Sequence, residues 1–268
     1  MSALSRVLGA PGLWISLLAA QLAIAIALSR SLALLIAAAV QPYVVEQPGR
    51  LLPAYAELFA DNFPVAIAVV VALATAAALG ALLWIVASGG IIRRLAAPLR
   101  AGEIAAAAVR HLPGMAMLSI YSAILRALLL ANLWIDVLGL GSGVARGVLV
   151  AIGWTLCTVA VDLARADVVL RGAKSYQPRT LVRAFTLAVT RPTVWLSSGA
   201  LTLVGIGLSL TSVAIATRTF GDAGVALWGV RSLAALGVGA TLWRIAIAVA
   251  AIESAPAVEA VSESDDAA

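Results

Sequence analysis

Six apolar blocks, at 13–40, 64–92, 113–138, 144–161, 193–217 and 225–252, constrain this chain more than any other feature of it. A helix rises about 1.5 Å per residue, so each block is long enough to cross roughly 30 Å of hydrocarbon. The blocks are continuous. A transmembrane barrel would instead need ten-residue segments that alternate polar and apolar side chains, and that architecture is excluded. The expected fold is all-α: a polytopic membrane protein of six transmembrane helices. Composition agrees, because 63% of the residues are hydrophobic and only 12% are charged, against about 25% charged in soluble domains.

Cations set the expected orientation. Arg6, Arg93, Arg94, Arg100, Arg110, Arg165, Arg171, Lys174, Arg179, Arg183 and Arg191 fall in alternate connections, whereas the opposite connections hold Arg50 and Arg218. Eleven against two places the first set, and both termini, in the cytoplasm by the positive-inside rule. The implied location is a bacterial inner membrane. The net charge of +5 then reflects topology, and no nucleic-acid partner is expected.

The long inner connections carry helical patterning. Leu181, Val182, Phe185 and Val189 recur on one side, opposite Arg179, Arg183, Thr186 and Thr190. Ile92, Leu95 and Leu99 similarly oppose Arg93, Arg94 and Arg100. Each pattern predicts a basic amphipathic helix in the cytoplasmic headgroup layer, with Arg93, Arg94, Arg100, Arg179 and Arg183 touching headgroups. Both stretches end in a basic segment and a proline, Pro113 or Pro192, so the unit of span, basic helix, proline and span occurs twice. An outer segment at 51–63 shows weaker helical spacing. Residues 1–252 form the membrane domain on this reading, and 253–268 form a disordered acidic tail, too poor in apolar residues to pack.

Charge inside the spans is the chemical anomaly. Arg30, Arg126, Arg146, Arg231 and Arg244 face only Asp136, with Asp162 at an inner edge. A central charge costs about 2.5–3.5 kcal/mol on insertion scales, so each needs a partner, a wet cavity or a route to the interface. Arg126 lies about 20 Å from the inner end of its span, too deep for easy escape. Arg30, Arg126 and Arg231, with Ser119 and Ser122 on the helical face of Arg126, are the candidate site for an anionic ligand or lipid. Asp136 and Arg146 are expected to pair across the third loop. For Arg146 and Arg244 snorkelling or simple pairing is the plainer account. Arg231 and Arg244 point about 140° apart on one helix, so one of them faces something other than a shared cavity.

Small residues recur every four positions at Ala72, Ala76 and Gly80, at Gly143, Gly147 and Ala151, and at Ala235 and Gly239. Such stripes permit close helix approach, within one chain or between copies. Gly205 and Gly207 weaken the middle of the fifth span. Trp14, Trp84, Trp134, Trp195 and Trp228 fall near span ends, as interface anchors do. His111 and Cys157 are each the sole residue of their type, and neither has the companions a metal site or disulfide framework needs. No nucleophile elbow, phosphate loop or metalloprotease motif is present, so no catalytic residue, metal or cofactor is expected.

Ser88-Gly89-Gly90 leaves the second span, and Asp162-Leu163-Ala164-Arg165-Ala166-Asp167 leads through a basic stretch to Ala184-Phe185 and Arg191-Pro192. In these patterns, over 64–196, the chain resembles bacterial six-span proteins of unknown function related to the membrane domain of glycerophosphodiester phosphodiesterases. The resemblance implies a six-span membrane domain. Phosphodiesterases of that type carry a soluble catalytic domain after the membrane part, whereas sixteen residues follow the sixth span here, and no catalytic residue carries over. The function expected from the whole sequence is non-enzymatic: an integral membrane protein that contacts anionic phospholipids and anchors or organises a membrane-protein partner or a second copy of itself. The alternative is a transporter or flippase for an anionic small molecule or lipid, with Arg30, Arg126 and Arg231 as its binding cations.

Overall fold

The computed structural model describes residues 2–24, 26–27, 63–135, 139, 141–174, 177–218 and 223–255. The described residues are helical, without strands. In order they form α1 (Ala3–Leu8), α2 (Pro11–Ile24), α3 (Phe63–Ala96), α4 (Ala101–Ile135), α5 (Gly143–Arg171), α6 (Pro178–Thr190), α7 (Pro192–Arg218) and α8 (Ala223–Ser254). Among the described residues, four stretches are long and apolar enough to cross a membrane: Ala78–Ala96, Ala101–Ile135, Gly143–Arg171 and Ser232–Ser254. Pro11–Ile24 and Pro192–Leu208 are shorter apolar helices. Arg30, Asp136 and the outer segment at 51–62 lie outside the described residues, as does the side chain of Arg231.

The chain divides into two compact units, Ile15–Ile85 and Met1–Trp14 with Val86–Ala268. In the first, Ile67, Val70, Val71 and Leu82 are exposed apolar side chains on α3. The second holds the charge clusters found among the described residues. At its centre runs α5, which packs against α4, α6, α7 and α8. Its residues from Cys157 to Val169 are buried nearly all round, as a helix enclosed by other helices must be.

The helix boundaries have local causes. Pro98 cannot continue α3, and the residue before a proline is pushed out of helical geometry. At the start of α4, Glu103 Oε2 accepts the Arg100 backbone N–H at 2.7 Å, which satisfies one of the donors a helix start leaves open. Ser142 caps α5 by accepting from Ala145 N at 3.1 Å. Gly172, at φ +70°, ends α5 in the left-handed conformation that glycine adopts without strain. Pro178 and Pro192 occupy first helical positions, where a missing N–H costs nothing. Arg191 is the single residue between α6 and α7.

Several boundaries differ from the hydropathy reading. The basic stretch after the second span is not a separate helix. Ile92 to Ala96 finish α3, and Ala101 to Leu112 begin α4, which passes through Pro113 without a break. The helix that carries span four does not stop at Val161, because α5 runs on to Arg171. Glu253 and Ser254 belong to α8 and not to the tail, whose residues from 256 onward lie outside the described set. Hydropathy windows end at charges, whereas helices end at caps and prolines. At 1.5 Å per residue α4 and α5 are about 52 and 44 Å long, so each overruns roughly 30 Å of hydrocarbon and carries its own interfacial turns.

Candidate functional site

Two groups of charges occupy the larger unit. The first lies where α5 crosses α4, α7 and α8. On α5, Trp154, Thr158, Asp162 and Arg165 follow one another at intervals of four, four and three, which keeps them on one face. On α4, Ser119, Ser122 and Arg126 do the same. Asp162 is buried, and its Oδ2 accepts a hydrogen bond from Arg244 Nε at 2.5 Å. Its Oδ1 lies 3.9 Å from Arg165 Nη1. Arg165 is mostly buried and sits within electrostatic reach of Arg126 and Arg244 as well. Among the described residues, three cations therefore gather near one anion.

Hydroxyl groups hold the remaining guanidinium donors. Arg165 Nη2 donates to Ser119 Oγ at 2.7 Å, Arg126 Nη2 to Thr158 Oγ1 at 3.1 Å, and Arg244 Nη1 to Thr202 Oγ1 at 3.5 Å. Each hydroxyl donates its own proton to a carbonyl one turn back, on Met115, Trp154 and Ser198 respectively. A hydroxyl bonded in that way has only lone pairs left to offer, so each presents an acceptor to its arginine. The Arg126 guanidinium also lies 4.8 Å from the Trp154 ring centroid, a cation–π distance. Arg126 Nε is buried with no hydrogen-bond partner. The arrangement stabilises positive charge at depth and leaves a surplus of it.

The second group gathers at one end of the same unit. Arg6 makes two hydrogen bonds to Glu253 and one to the Leu95 carbonyl oxygen, the latter at 3.2 Å. These bonds to Glu253 hold the Arg6 guanidinium above its usual pKa, against the smaller opposing effect of burial. Arg94 donates to Gly9 O at 3.0 Å. Arg171 donates to the carbonyls of Ile252 and Ala255, and Arg191 to Ala251 O at 3.1 Å and Ser254 Oγ at 2.9 Å. Helix ends expose carbonyls that carry the negative end of the dipole, so arginine is suited to both their hydrogen bonds and their charge. Buried Asp167 faces Arg171 at 3.9 Å and Arg183 at 3.7 Å. Arg93, Arg110 and Arg179, on helices, and Arg100, in the loop before α4, are exposed, and their side chains make no hydrogen bond or ion pair among the described residues.

The predicted residues therefore separate. Ser119 and Arg126 both join the Asp162 cluster, and Ser122 is buried beside them on α4. Whether Arg30 or Arg231 approaches that cluster lies outside the described side chains. Of the expected pair, Asp136 is likewise outside, and Arg146 donates weakly to Leu133 O and Gly141 O at 3.4 and 3.5 Å. Arg244 pairs directly. Among the headgroup candidates, Arg93, Arg100 and Arg179 are exposed and unpaired, while Arg94 and Arg183 have partners within the protein. Sequence reasoning missed Thr158, Arg165 and Thr202. For the first two the available signal was the four-residue repeat from Trp154, hidden because span four was ended one residue before Asp162.

Glycine marks the close approaches. Gly153 meets the Leu129 side chain, Gly199 meets Thr155, and Gly239 meets the Trp14 ring, whose Nε1 donates to Ala235 O at 3.0 Å. The Ala235 and Gly239 stripe is thus used within the chain. Gly143 and Gly147 face open space. No three His, Cys, Asp or Glu side chains gather among the described residues. Comparison with protein-family models, curated proteins and solved structures found no match.

Proposed function

We propose that the protein is a non-enzymatic integral membrane protein that contacts anionic phospholipids through a basic cytoplasmic face and anchors or organises a membrane partner there. The observation that carries this reading is the three-sided character of α6. Thr180, Ala184 and Ala188 are buried on the side that packs against α5. Val182 and Val189 are more than 60% exposed, next to half-buried Leu181 and Phe185. Arg179, Thr186 and Thr190 make an exposed polar side. An apolar strip beside arginines, on a helix already anchored by its third side, suits the boundary between acyl chains and headgroups. The cluster of helix ends around Arg6, Arg94, Arg171 and Arg191 supports placing that face at one membrane surface. Six spans, an inner-membrane location and cytoplasmic termini complete the proposal.

Each arginine near an anionic surface contributes about 1 kcal/mol of attraction. The purified protein in detergent, mixed with vesicles and floated, is expected to recruit phosphatidylglycerol-containing vesicles over pure phosphatidylcholine ones. Arg179→Gln with Arg183→Gln should lower that preference by up to about thirtyfold. Equal recruitment of both vesicle types, unaltered by the substitutions, would remove the reading. The surplus of cations around Asp162 favours a second reading, a transporter or flippase for an anion, which anion uptake by proteoliposomes would reveal.

A further inference from the structure

At the junction of α3 and α4 the two helices approach so closely that a Cβ on Gly90 would stand 2.5 Å from the Ile104 carbonyl oxygen. A Cβ on Gly89 would stand 2.9 Å from the His111 Cβ. Only glycine fits at such a crossing. Beside it lies a cavity of about 350 Å³, with Arg93 and Leu99 on one wall and Glu103, Ala106, Arg110 and His111 on the other.

The cavity lining carries two arginines against one carboxylate. Glu103 is committed through Oε2 to the start of α4. Arg93 and Arg110 are exposed, and their side chains make no hydrogen bond or ion pair among the described residues. His111 Nε2 is buried and has no hydrogen-bond partner. Two guanidinium groups and an imidazole thus border one concave space with a single carboxylate in its lining, Glu103, one oxygen of which is bonded at the helix end. Guanidinium forks match the oxygens of a phosphate, and a basic pocket between membrane helices is suited to a phospholipid headgroup. Leu99 and Ala106 supply an apolar wall for the glycerol and the start of an acyl chain.

We propose that the α3–α4 cavity binds a phosphate group, carried by one anionic glycerophospholipid or by a soluble phosphate compound, between Arg93 and Arg110, with His111 in the cavity wall. The lipid source rests on the lipid-contacting function proposed above; the phosphate chemistry stands without it. The site is distinct from α6, so the two can be separated.

The test uses the full chain reconstituted in phosphatidylcholine nanodiscs containing phosphatidylglycerol, then released into excess detergent for native mass spectrometry. The wild type is expected to retain one phosphatidylglycerol. Arg93→Gln with Arg110→Gln should lower the retained fraction about tenfold, and Ala106→Trp, which fills the cavity and leaves its charges in place, should do the same. Arg179→Gln with Arg183→Gln should leave retention unchanged even as vesicle flotation falls. Inorganic phosphate added to the delipidated protein forms the second arm. Thermal stabilisation by phosphate that disappears in the Arg93/Arg110 variant, without lipid retention, supports the site and assigns it a soluble ligand. Retention and stabilisation that are equal in wild type, the Arg93/Arg110 variant and Ala106→Trp would overturn the proposal, as would a wild type that shows neither.

Discussion

At the Asp162 carboxylate, Arg244 and Arg165 converge from different helices, and Arg126, bonded to Thr158, lies within electrostatic reach of Arg165. Removing charge from the carboxylate leaves those guanidinium groups buried without an anion. Loss of one partner of a buried ion pair typically costs about 3–5 kcal/mol, more than the pair itself contributes, because the survivor stays desolvated. Asp162→Asn is therefore expected to destabilise the protein by about that amount in a detergent melt followed by tryptophan fluorescence. Thr158→Val removes only the hydroxyl that accepts from Arg126, and its cost is about 1–3 kcal/mol. An Asp162→Asn protein as stable as the wild type would show that the cluster does not hold the helices together. The sequence made half of this cluster legible. Spacing alone put Ser119 and Ser122 on the face of Arg126. The partners were hidden because hydropathy treats Asp162 and Arg165 as the end of a span, when each offsets the charge of the other and the helix continues.

Single elements show where pattern and geometry part. The periodicity of 179–190 was sufficient to place an amphipathic helix there, and α6 occupies Pro178–Thr190. Its buried side, however, consists of Thr180, Ala184 and Ala188, residues too small or polar for a hydropathy pattern to single out. The stretch after the second span misled in the opposite direction, since Arg93, Arg94 and Arg100 are divided between the last turn of α3 and the loop before α4. What fixes that junction is the Gly89 and Gly90 crossing, whose demand on side-chain size is steric and leaves no trace in hydropathy. Gly90→Ala would put a methyl group against the Ile104 backbone, and overpacking of that kind costs about 1–3 kcal/mol. Gly147→Ala, where the new methyl meets nothing within 4 Å, should be neutral or stabilising by about 0.5–1 kcal/mol through helix propensity. The paired melts check both, and a reversed order would contradict the close crossing.

For the larger unit as a whole, the arrangement of charge is the main result. The ends of α3, α5 and α8, the N-terminal helix and the start of α7 meet through Arg6, Arg94, Arg171 and Arg191. Cations that a topology count assigns to a loop thus have two roles: some cap helix carbonyls, and others, including Arg93, Arg110 and Arg179, remain open to a ligand or a surface. The first role draws those helix ends together, and the second is the one the proposed anion contacts would use. Lys174 lies in the connection between α5 and α6, exposed at this end. The most direct test of the account is cysteine labelling at that position in intact cells, with the buried Cys157 replaced by alanine and Lys174→Cys introduced. A membrane-impermeant maleimide is expected to leave the cysteine unmodified until the membrane is opened; rapid labelling from outside would contradict the placement of the basic face on the cytoplasmic side.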